Sequence, residues 1–529
     1  MTMLLHRMIE EAADRRPEAT AIRCDEESLS YEALARQAHG LAHLLLETGL
    51  ERRDRVAVLL NKSLEVPVSF YGVLAAGGTL VPIDPRSPAD RVAQILRATQ
   101  ATHLVSETKK DKLVEAALAG CPDIGHVIGV EAESDQAYRN HSWDAVAALA
   151  SDRPPEVPIT DLDPSYILHT SGSTGVPKLI LHTHRSAMSF VDWAVAEYSL
   201  TAEDRLSNHS SHHTCFATFD YYASAAVGAT TVILTPSVLM MPASLSTRIE
   251  EEGISVWYSV PAALIQLSLR GNLETRNLDS LRWILFAGET FPDKHLRQLM
   301  DQIPSARFSH VYGSTEVNVC SYYHLPEDGD FVVPLPIGRP CANATVEVVD
   351  EDLQSVSRGG VGEFLVRGST VMSGYWGEPE RNRVVLVRRP TAGDLEEIYF
   401  RTGDRGRVLE DGNLTFVARA DLQVKVRGHR VELGEVETAL LSLESVEEAA
   451  AFTVPDGEGS SSLRAAVVTT VPAESRSKEI QAALKGKLPM HAVPTSIAVL
   501  DRLPRTATGK VDRRALQTHL ETEDAPRHE

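Results

Sequence analysis

Cysteine is scarce in this chain, and its few cysteines are widely separated. Five occur among 529 residues, and no two have the CxxC spacing: Cys24, Cys121, Cys215, Cys320 and Cys341. An odd number of dispersed cysteines argues against a disulfide framework and against a zinc site. Aromatic residues make up only 6% of the chain and hydrophobic residues 43%, which is typical of an ordinary globular protein.

Long apolar runs and excess positive charge are also lacking. No stretch approaches the roughly 20 residues of a membrane span, and Arg7, Glu10, Glu11 and Asp14 interrupt any apolar core of a signal peptide. Lysine and arginine number 52 against 73 aspartates and glutamates, a formal net charge of −21. These features argue against nucleic acid or a membrane as the main partner, and we expect a cytoplasmic protein.

The length of the chain predicts two or more domains, because 529 residues exceed what one core supports. Helical and strand-like segments alternate over about the first 300 residues, which is typical of crossover units on a parallel sheet. The clearest examples are a helix over Tyr31–Glu47 and a strand over 79–83. Short strands and turns from about Ala344 predict a small antiparallel or barrel-like unit. A separate α+β piece begins near Asp421, with a helix predicted over 433–443.

The segment 171–178, Ser-Gly-Ser-Thr-Gly-Val-Pro-Lys, follows a strand-like apolar run at 166–168. Its glycines let backbone N–H groups approach phosphate oxygens, its hydroxyls add donors, and Lys178 adds a mobile positive charge. Because Pro177 and Lys178 replace the Gly-Lys-Ser/Thr of a Walker motif, the segment predicts a nucleoside triphosphate site unlike that of an ordinary P-loop ATPase. A plain linker of this composition is the alternative.

Four further segments carry residues with little packing value. They are 311–316 (Val-Tyr-Gly-Ser-Thr-Glu), 401–404 (Arg-Thr-Gly-Asp), the charge-dense stretch 419–434, and 508–510 (Thr-Gly-Lys). Each alone is compatible with a surface turn. Their order along nearly the whole chain resembles the adenylate-forming superfamily of acyl-CoA synthetases, luciferases and nonribosomal peptide synthetase adenylation domains. The phrase Arg-Gly-His-Arg-Val-Glu-Leu-Gly-Glu-Val-Glu at 427–437 favours the peptide-synthetase branch of this superfamily.

The resemblance implies an α/β fold with a large N-terminal domain over residues 1–420, built of two layered α/β subdomains and a small β-barrel-like unit. A small mobile α+β lid domain over 421–529 follows, with Asp421 at the hinge. The implied reaction has two halves. A carboxylate attacks the α-phosphate of ATP to give an acyl-adenylate, and a thiol then displaces AMP; ATP and Mg²⁺ are the implied cofactors.

The resemblance also implies a set of nucleotide-binding residues. They are Ser171, Gly172, Ser173, Thr174, Gly175, Lys178, Gly288, Glu289, Thr290, Tyr312, Gly313, Ser314, Asp404 and Arg419. Tyr312 would stack on adenine and Asp404 would accept the ribose hydroxyls. The implied catalytic residues are Thr315 on the α-phosphate, Glu316 as the Mg²⁺ ligand, and Lys510 as a bridging lysine from the mobile domain.

The segment 208–222 departs from the family pattern. Adenylation domains for α-amino acids usually carry an aspartate here that pairs with the substrate ammonium. A gapless alignment to Gly228 puts Cys215 at that position and Asp220 outside the pocket, whereas an alignment with a deletion would use Asp220. The favoured pocket is Cys215, Phe216, Phe219, Ser259, Leu285, Ala287, Val311, Val319 and Cys320.

This pocket predicts an apolar aryl or aliphatic acid without a free α-amino group, because burying an unpaired ammonium costs several kcal/mol. The segment also resembles enzymes that activate β-amino acids for macrolactam starters, and that alternative stays open. His212 and His213 could offer a polar contact, or could be structural.

No Gly-Gly-x-Ser phosphopantetheine attachment site follows Lys510. We therefore expect a standalone enzyme that delivers its acyl group to a separate carrier protein. Free CoA is the alternative acceptor, and the carrier is favoured because no obvious basic cluster for the CoA 3′-phosphate is present. A nucleotide-binding scaffold without catalysis is disfavoured because Glu316, Asp404 and Lys510 are all present.

Overall fold

The structure is a computed structural model that describes most of the chain. The described residues are 3–121, 123–130, 138–170, 177–391, 393, 395–419, 423–456, 461–469, 476–505, 511–513 and 515–518. Two large mixed sheets, an antiparallel sheet and a small C-terminal unit make up the fold. This is the α/β architecture that the sequence predicts.

Helices cover both large sheets and the C-terminal unit. The α-helices are Arg7–Arg15, Tyr31–Glu47, Glu65–Ala75, Ala89–Thr99, Asp111–Leu118, Trp143–Ala148, His184–Glu197, Ser224–Val227, Pro236–Leu239, Pro242–Glu251, Pro261–Arg270, Asp293–Gln302, Pro379–Val385, Leu433–Leu441 and Arg476–Leu484. Shorter 3₁₀ turns are Thr108–Lys110, Leu273–Thr275 and Met490–Ala492. A π-helix spans Thr218–Ala223, and such segments are frequent at functional sites.

The larger sheet has nine strands with a parallel centre and antiparallel edges. In spatial order its strands are Arg339–Pro340, Ser321–His324, Arg307–Tyr312, Trp283–Ala287, Val256–Ser259, Arg205–Asn208, Thr230–Ile233, Thr20–Cys24 and Glu27–Ser30. The parallel pairings confirm the crossover units predicted from the alternating pattern.

A second sheet of eight strands packs in the same N-terminal part. In spatial order its strands are Gly374–Tyr375, Lys178–Thr183, Pro164–Thr170, Thr79–Pro82, Arg55–Val58, His103–Val105, His126–Ile128 and Arg139–His141. Strand Thr79–Pro82 runs parallel to Pro164–Thr170, so the residues that follow these strands meet at one edge of the sheet.

The predicted antiparallel unit is a sheet of five strands. Its strands are Ala344–Val349, Gly362–Gly368, Glu396–Val408, Leu386–Pro390 and Leu414–Arg419. The C-terminal part contains a two-stranded hairpin, Gln423–Val426 with His429–Glu432, which we call the C-terminal hairpin. It also contains a three-stranded sheet of Val446–Pro455, Ser461–Thr469 and Ser496–Val499.

The helix Tyr31–Glu47 illustrates how local sequence and packing agree. The Ser30 side chain caps it by accepting a hydrogen bond from the Ala33 amide at 3.1 Å. Tyr31 is only 1% exposed, and its hydroxyl donates to the Ala229 carbonyl at 2.5 Å, which ties the helix to the larger sheet. A single helix thus joins the N-terminal segment to the nine-stranded sheet.

The C-terminal part has an apolar core of its own. Val431, Leu440, Ala465 and Leu484 are fully buried there and cluster with residues from 424 to 499. Such a core is what an independently moving unit requires. Among the described residues, no helix is long and apolar enough to cross a membrane.

Candidate active site

A cavity of about 150 Å³ lies between the N-terminal part and the C-terminal hairpin. Its walls come from the carboxyl-terminal ends of strands in both large sheets and from the hairpin itself. The lining residues include Asp84, His169, His213, Cys215, Phe216, Tyr258, Ala287, Gly288, Gly313, Ser314, Thr315, Val319, Asp404, Arg419, Lys425, Gly428, His429 and His491. Ligands of open α/β sheets bind at such carboxyl ends.

Asp404 anchors one end of the cavity. The hydroxyl of Tyr312 donates to Asp404 Oδ2 at 2.5 Å, and the guanidinium of Arg419 donates to Oδ1. The long strand Glu396–Val408 holds Asp404, and its neighbour Leu414–Arg419 holds Arg419 in register with it. A carboxylate fixed in this way can accept the two hydroxyls of a ribose.

Glu316 lies beyond the cavity wall and is 1% exposed. The Tyr375 hydroxyl donates to its Oε1 at 2.8 Å, and Arg430 of the hairpin contacts both of its oxygens. Burial alone would raise the pKa of this carboxyl, but the Arg430 guanidinium outweighs it and holds the pKa well below its usual range. A carboxylate held in its anionic form can bind Mg²⁺, which prefers carboxylate and phosphate oxygens. In this structure Arg430 occupies both oxygens of this carboxylate.

Lys178 is paired with a second residue of the same hairpin. Its ammonium donates to Glu432, and the two side chains are 6% and 5% exposed. The amide of Gln423 also donates to Glu432, at 2.6 Å. Next to them Arg91 and Glu435 form a buried ion pair at 2.8 Å, which joins the two parts of the molecule.

Gly428 places the turn of the hairpin against the N-terminal part. Its φ of +80° favours glycine, and a Cβ there would lie 2.5 Å from Val260 Cγ1. The Gly428 amide donates to Glu289 Oε1 at 2.7 Å. The carboxylate of Glu289 thus holds the hairpin and is not among the cavity-lining groups; neither are Thr290 and Tyr312.

The residues predicted for the acyl pocket fall into two groups: those that line the cavity and those that are buried behind its lining. Cys215, Phe216, Ala287 and Val319 line the cavity together with Tyr258, whose ring lies 4.5 Å from that of Phe216. The other predicted residues are buried and do not line it: Phe219, Ser259, Leu285, Val311 and Cys320. Phe219 packs edge-on against Tyr258 at 5.4 Å, so part of this layer supports the lining.

Asp220 lies away from the cavity lining. It is fully buried, and the Asn208 amide donates to its Oδ2 at 2.9 Å. Burial raises the pKa of Asp220 well above its usual range, and the same burial lowers the pKa of nearby Lys62 to about 7. Cys215 is the residue that faces the cavity, and burial raises the pKa of its thiol to about 11.

Several cavity residues were not predicted as site residues. Lys425 belongs to the hairpin, and a Cβ on Gly288 would lie 4.0 Å from its ammonium. His169, His429 and His491 line the cavity as well. The density of charge at 419–434 was the signal available in the sequence, since a strand-like segment with many charges needs partners. The imidazoles gave no such signal, because they come from distant segments.

Some predicted residues fall outside the described part of the chain. They are Ser171, Gly172, Ser173, Thr174, Gly175, Asp421 and Lys510. Their roles stay predictions from the sequence.

Comparison with known proteins now identifies the family. Residues 9–376 match the family described as AMP-binding enzyme. The chain belongs to this family. Residues 435–510 match the AMP-binding enzyme C-terminal domain. The predicted membership of the adenylate-forming superfamily is confirmed, as are the fold class and the assignment as an ATP-dependent ligase.

The family's relatives include single enzymes and large synthases. A ligase for L-proline and L-prolyl-carrier protein from Pseudomonas fluorescens is 34% identical over 520 residues, which are 98% of this chain and 99% of that protein. Bacitracin synthase 1 of Bacillus licheniformis is 32% identical over 97% of this chain, but this chain spans only 9% of that synthase. The solved structure of the amide bond synthetase McbA from Marinactinospora thermotolerans is similar to this chain with a TM-score of 0.85 at 25% identity. The match covers 98% of this chain and 99% of the McbA chain.

Proposed function

We propose that this protein activates a carboxylic acid with ATP and transfers the acyl group to the phosphopantetheine thiol of a separate carrier protein. The observation that supports it most is the continuity of one cavity from an apolar end at Phe216 and Tyr258 to the Asp404–Arg419 pair. A mixed anhydride of an acid and AMP needs such an arrangement, with the acyl part in the apolar end and the ribose at the carboxylate. The prolyl-carrier protein ligase, matched over 99% of its length, supports a carrier as the acceptor.

In this proposal the residues divide by role. Lys178, with the loop before it, holds the β- and γ-phosphates, and Thr315 contacts the α-phosphate. Glu316 holds Mg²⁺, which supplies neutralisation of phosphate charge when bound. Asp404 accepts the ribose hydroxyls with help from Arg419, and Lys510 reaches in from the mobile C-terminal domain.

We propose an acid without a free α-amino group as the substrate. The position that faces the cavity is Cys215, and burial keeps its thiol neutral by raising the pKa to about 11. Lys425 stands at the same cavity and adds positive charge. Among the described residues, the cavity carboxylates Asp84 and Asp404 are already paired with Arg86 and Arg419. An ammonium beside the neutral Cys215 thiol would therefore be desolvated without a carboxylate of its own, at a cost of several kcal/mol. An aryl or aliphatic carboxylate avoids that cost.

The test is ATP–pyrophosphate exchange with Mg²⁺ over a panel of α-amino, β-amino, aryl and aliphatic acids. We expect exchange with aryl or aliphatic acids. Exchange with β-amino acids alone would favour the macrolactam-starter alternative, and exchange with α-amino acids alone would contradict the proposed substrate class. Absence of exchange with every acid would contradict the proposed reaction. Thioester formation on a phosphopantetheinylated carrier, compared with free CoA, then separates carrier ligase from acyl-CoA ligase.

A further inference from the structure

Four imidazoles line the cavity where the N-terminal part meets the C-terminal part. His169 and His213 come from the N-terminal part, and His429 and His491 from the C-terminal part. The rings of His169 and His213 are stacked at 5.6 Å, and those of His429 and His491 at 4.1 Å. The four rings therefore line the cavity from both the N-terminal and the C-terminal part, and the same cavity is lined by Cys215.

His213 differs from the other three in its relation to a carboxylate. Its Nε2 lies 3.8 Å from Asp84 Oδ2, and the two side chains are 6% and 4% exposed. Asp84 itself is fixed, because the Arg86 guanidinium donates to both of its oxygens at 3.1 Å. Burial alone would raise the pKa of Asp84, and a protonated His213 together with Arg86 would hold that pKa well below its usual range. When the His213 ring is neutral, the backbone and guanidinium hydrogen bonds from Arg86 still favour the carboxylate. A carboxylate that is paired with Arg86 therefore faces one nitrogen of His213.

The other nitrogen of His213 is available. Among the described residues, Nδ1 of His213 is buried and has no hydrogen-bond partner. Burial lowers the pKa of the ring well below its usual value, with Asp84 opposing and His169, His212 and His429 adding to the decrease. The ring is consequently neutral at pH 7. A buried unpaired nitrogen costs free energy unless a ligand supplies its partner.

We propose that His213, supported by Asp84, is the base that accepts the proton of the incoming thiol. This rests on the proposed function. The thiol sulfur attacks the carbonyl carbon of the acyl-adenylate, a C–S bond forms, and the C–O bond to the phosphate breaks so that AMP leaves with the electron pair. The S–H proton passes to Nδ1, and Asp84 stabilises the imidazolium until the ring loses the proton to solvent. General-base catalysis typically contributes about 10²–10⁴ in rate when the pKa of the base lies near the working pH, so the bound acceptor must offset the burial that lowers the pKa of His213.

The experiment separates the two half-reactions. The panel acid with the fastest pyrophosphate exchange is converted to enzyme-bound acyl-adenylate, and transfer to pantetheine is followed in single turnovers from pH 6 to 9.5. For His213→Gln we expect the ratio of transfer rate to exchange rate to fall about a hundredfold at pH 7. Its transfer rate should then rise about tenfold per pH unit up to the thiol pKa, because only pre-ionised thiolate reacts.

Three further variants make the outcome specific. Asp84→Asn should lower the ratio of transfer rate to exchange rate and should show the same pH profile as His213→Gln. This variant provides the test if His213→Gln fails to fold. His103→Gln replaces a buried histidine that does not line the cavity and should leave the ratio and profile unchanged. His169→Gln should retain the wild-type pH profile. Equal losses in both half-reactions of His213→Gln, or a wild-type pH profile of transfer in that variant, would overturn the inference about His213. The proposed function would still stand in either case, because it is tested by pyrophosphate exchange in the wild-type protein.

Discussion

Arg430 donates hydrogen bonds to both carboxylate oxygens of Glu316, with N–O distances of 2.8 Å and 2.7 Å. Arg430 belongs to the C-terminal hairpin, and Glu316 follows a strand of the larger sheet. A guanidinium therefore sits where the family resemblance puts a magnesium ion. The hairpin and the metal cannot hold this carboxylate in the same way at the same time.

Replacement of Arg430 should ease metal binding. In Arg430→Met we expect the Mg²⁺ concentration for half-maximal pyrophosphate exchange to fall on the order of tenfold, since competing ligands are typically coupled by 1–3 kcal/mol. The measurement is a Mg²⁺ titration of exchange, with Mg²⁺ affinity by calorimetry as a second readout. Arg383→Met, at an exposed arginine on a surface helix, is the control and should not shift either value. Unchanged Mg²⁺ dependence in Arg430→Met would show that Glu316 is not the shared ligand.

The stacked pair His429 and His491 should make docking of the hairpin depend on pH. Burial lowers the pKa of His429 to about 4 and that of His491 well below its usual value; Asp84 opposes this, and Arg86 and Arg91 reinforce it. When the hairpin is released, both rings regain pKa values near 6.5. Docking is therefore fully stabilised above about pH 6.5 and weakens as the pH falls towards 4.

Hydrogen exchange of amides 423–432 at pH 7.5 and 5.5, corrected for intrinsic rates, measures this effect. We expect faster exchange at pH 5.5 in the wild type and a smaller difference in His429→Phe, which keeps a stacked ring without the titrating group. Equal pH effects in both proteins would contradict the assignment to these rings.

Cys215 is expected to decide whether an amino group is accepted. Cys215→Asp places a carboxylate at the cavity and should improve exchange with α-amino acids relative to aryl acids. Cys215→Ser is the matched control, because it changes the thiol without adding charge, and its preference should stay that of the wild type. The ratio of kcat/KM for the two acid classes is the measurement. The alignment that uses Asp220 instead would gain support if both variants kept the wild-type ratio.

Replacement of Lys510 tests its predicted role as the bridging lysine of the mobile domain. Lys510→Ala should reduce pyrophosphate exchange by several orders of magnitude, because the charge that bridges carboxylate and phosphate oxygens is lost. Thermal stability should stay near that of the wild type. Lys487→Ala, at an exposed lysine of the same domain, is the control. Wild-type exchange in Lys510→Ala would remove this residue from the catalytic assignment.

Much of the fold could be predicted because its elements carry local signals. The helix Tyr31–Glu47 has the predicted bounds, with its serine cap and apolar periodicity, and the predicted strand 79–83 is observed as Thr79–Pro82. The helix predicted over 433–443 is observed as Leu433–Leu441. Capping and burial periodicity are properties of neighbouring residues, so the chain itself contains them.

The site was harder to predict, because its key contacts join distant segments. Asp84 and His213 are brought within 3.8 Å by two different sheets, and neither has a neighbour in sequence that indicates the other. The position of Lys425 depends on how the C-terminal part docks, which no local pattern specifies. Hydrophobicity marked both Phe216 and Leu285 as pocket residues, but it could not distinguish the partly buried Phe216, which lines the cavity, from the fully buried Leu285, which does not.

Arg430 and Glu432 are two residues apart on one strand and so point to the same face of the hairpin. One meets Glu316 and the other meets Lys178. The docked hairpin thus brings one counterion for each fixed charge, of the opposite sign in each case. If Glu316 binds metal and Lys178 binds phosphate, the hairpin can replace both ligands after they leave. Neither buried side chain is then left charged without a partner, and protein groups alone balance the charge of the site.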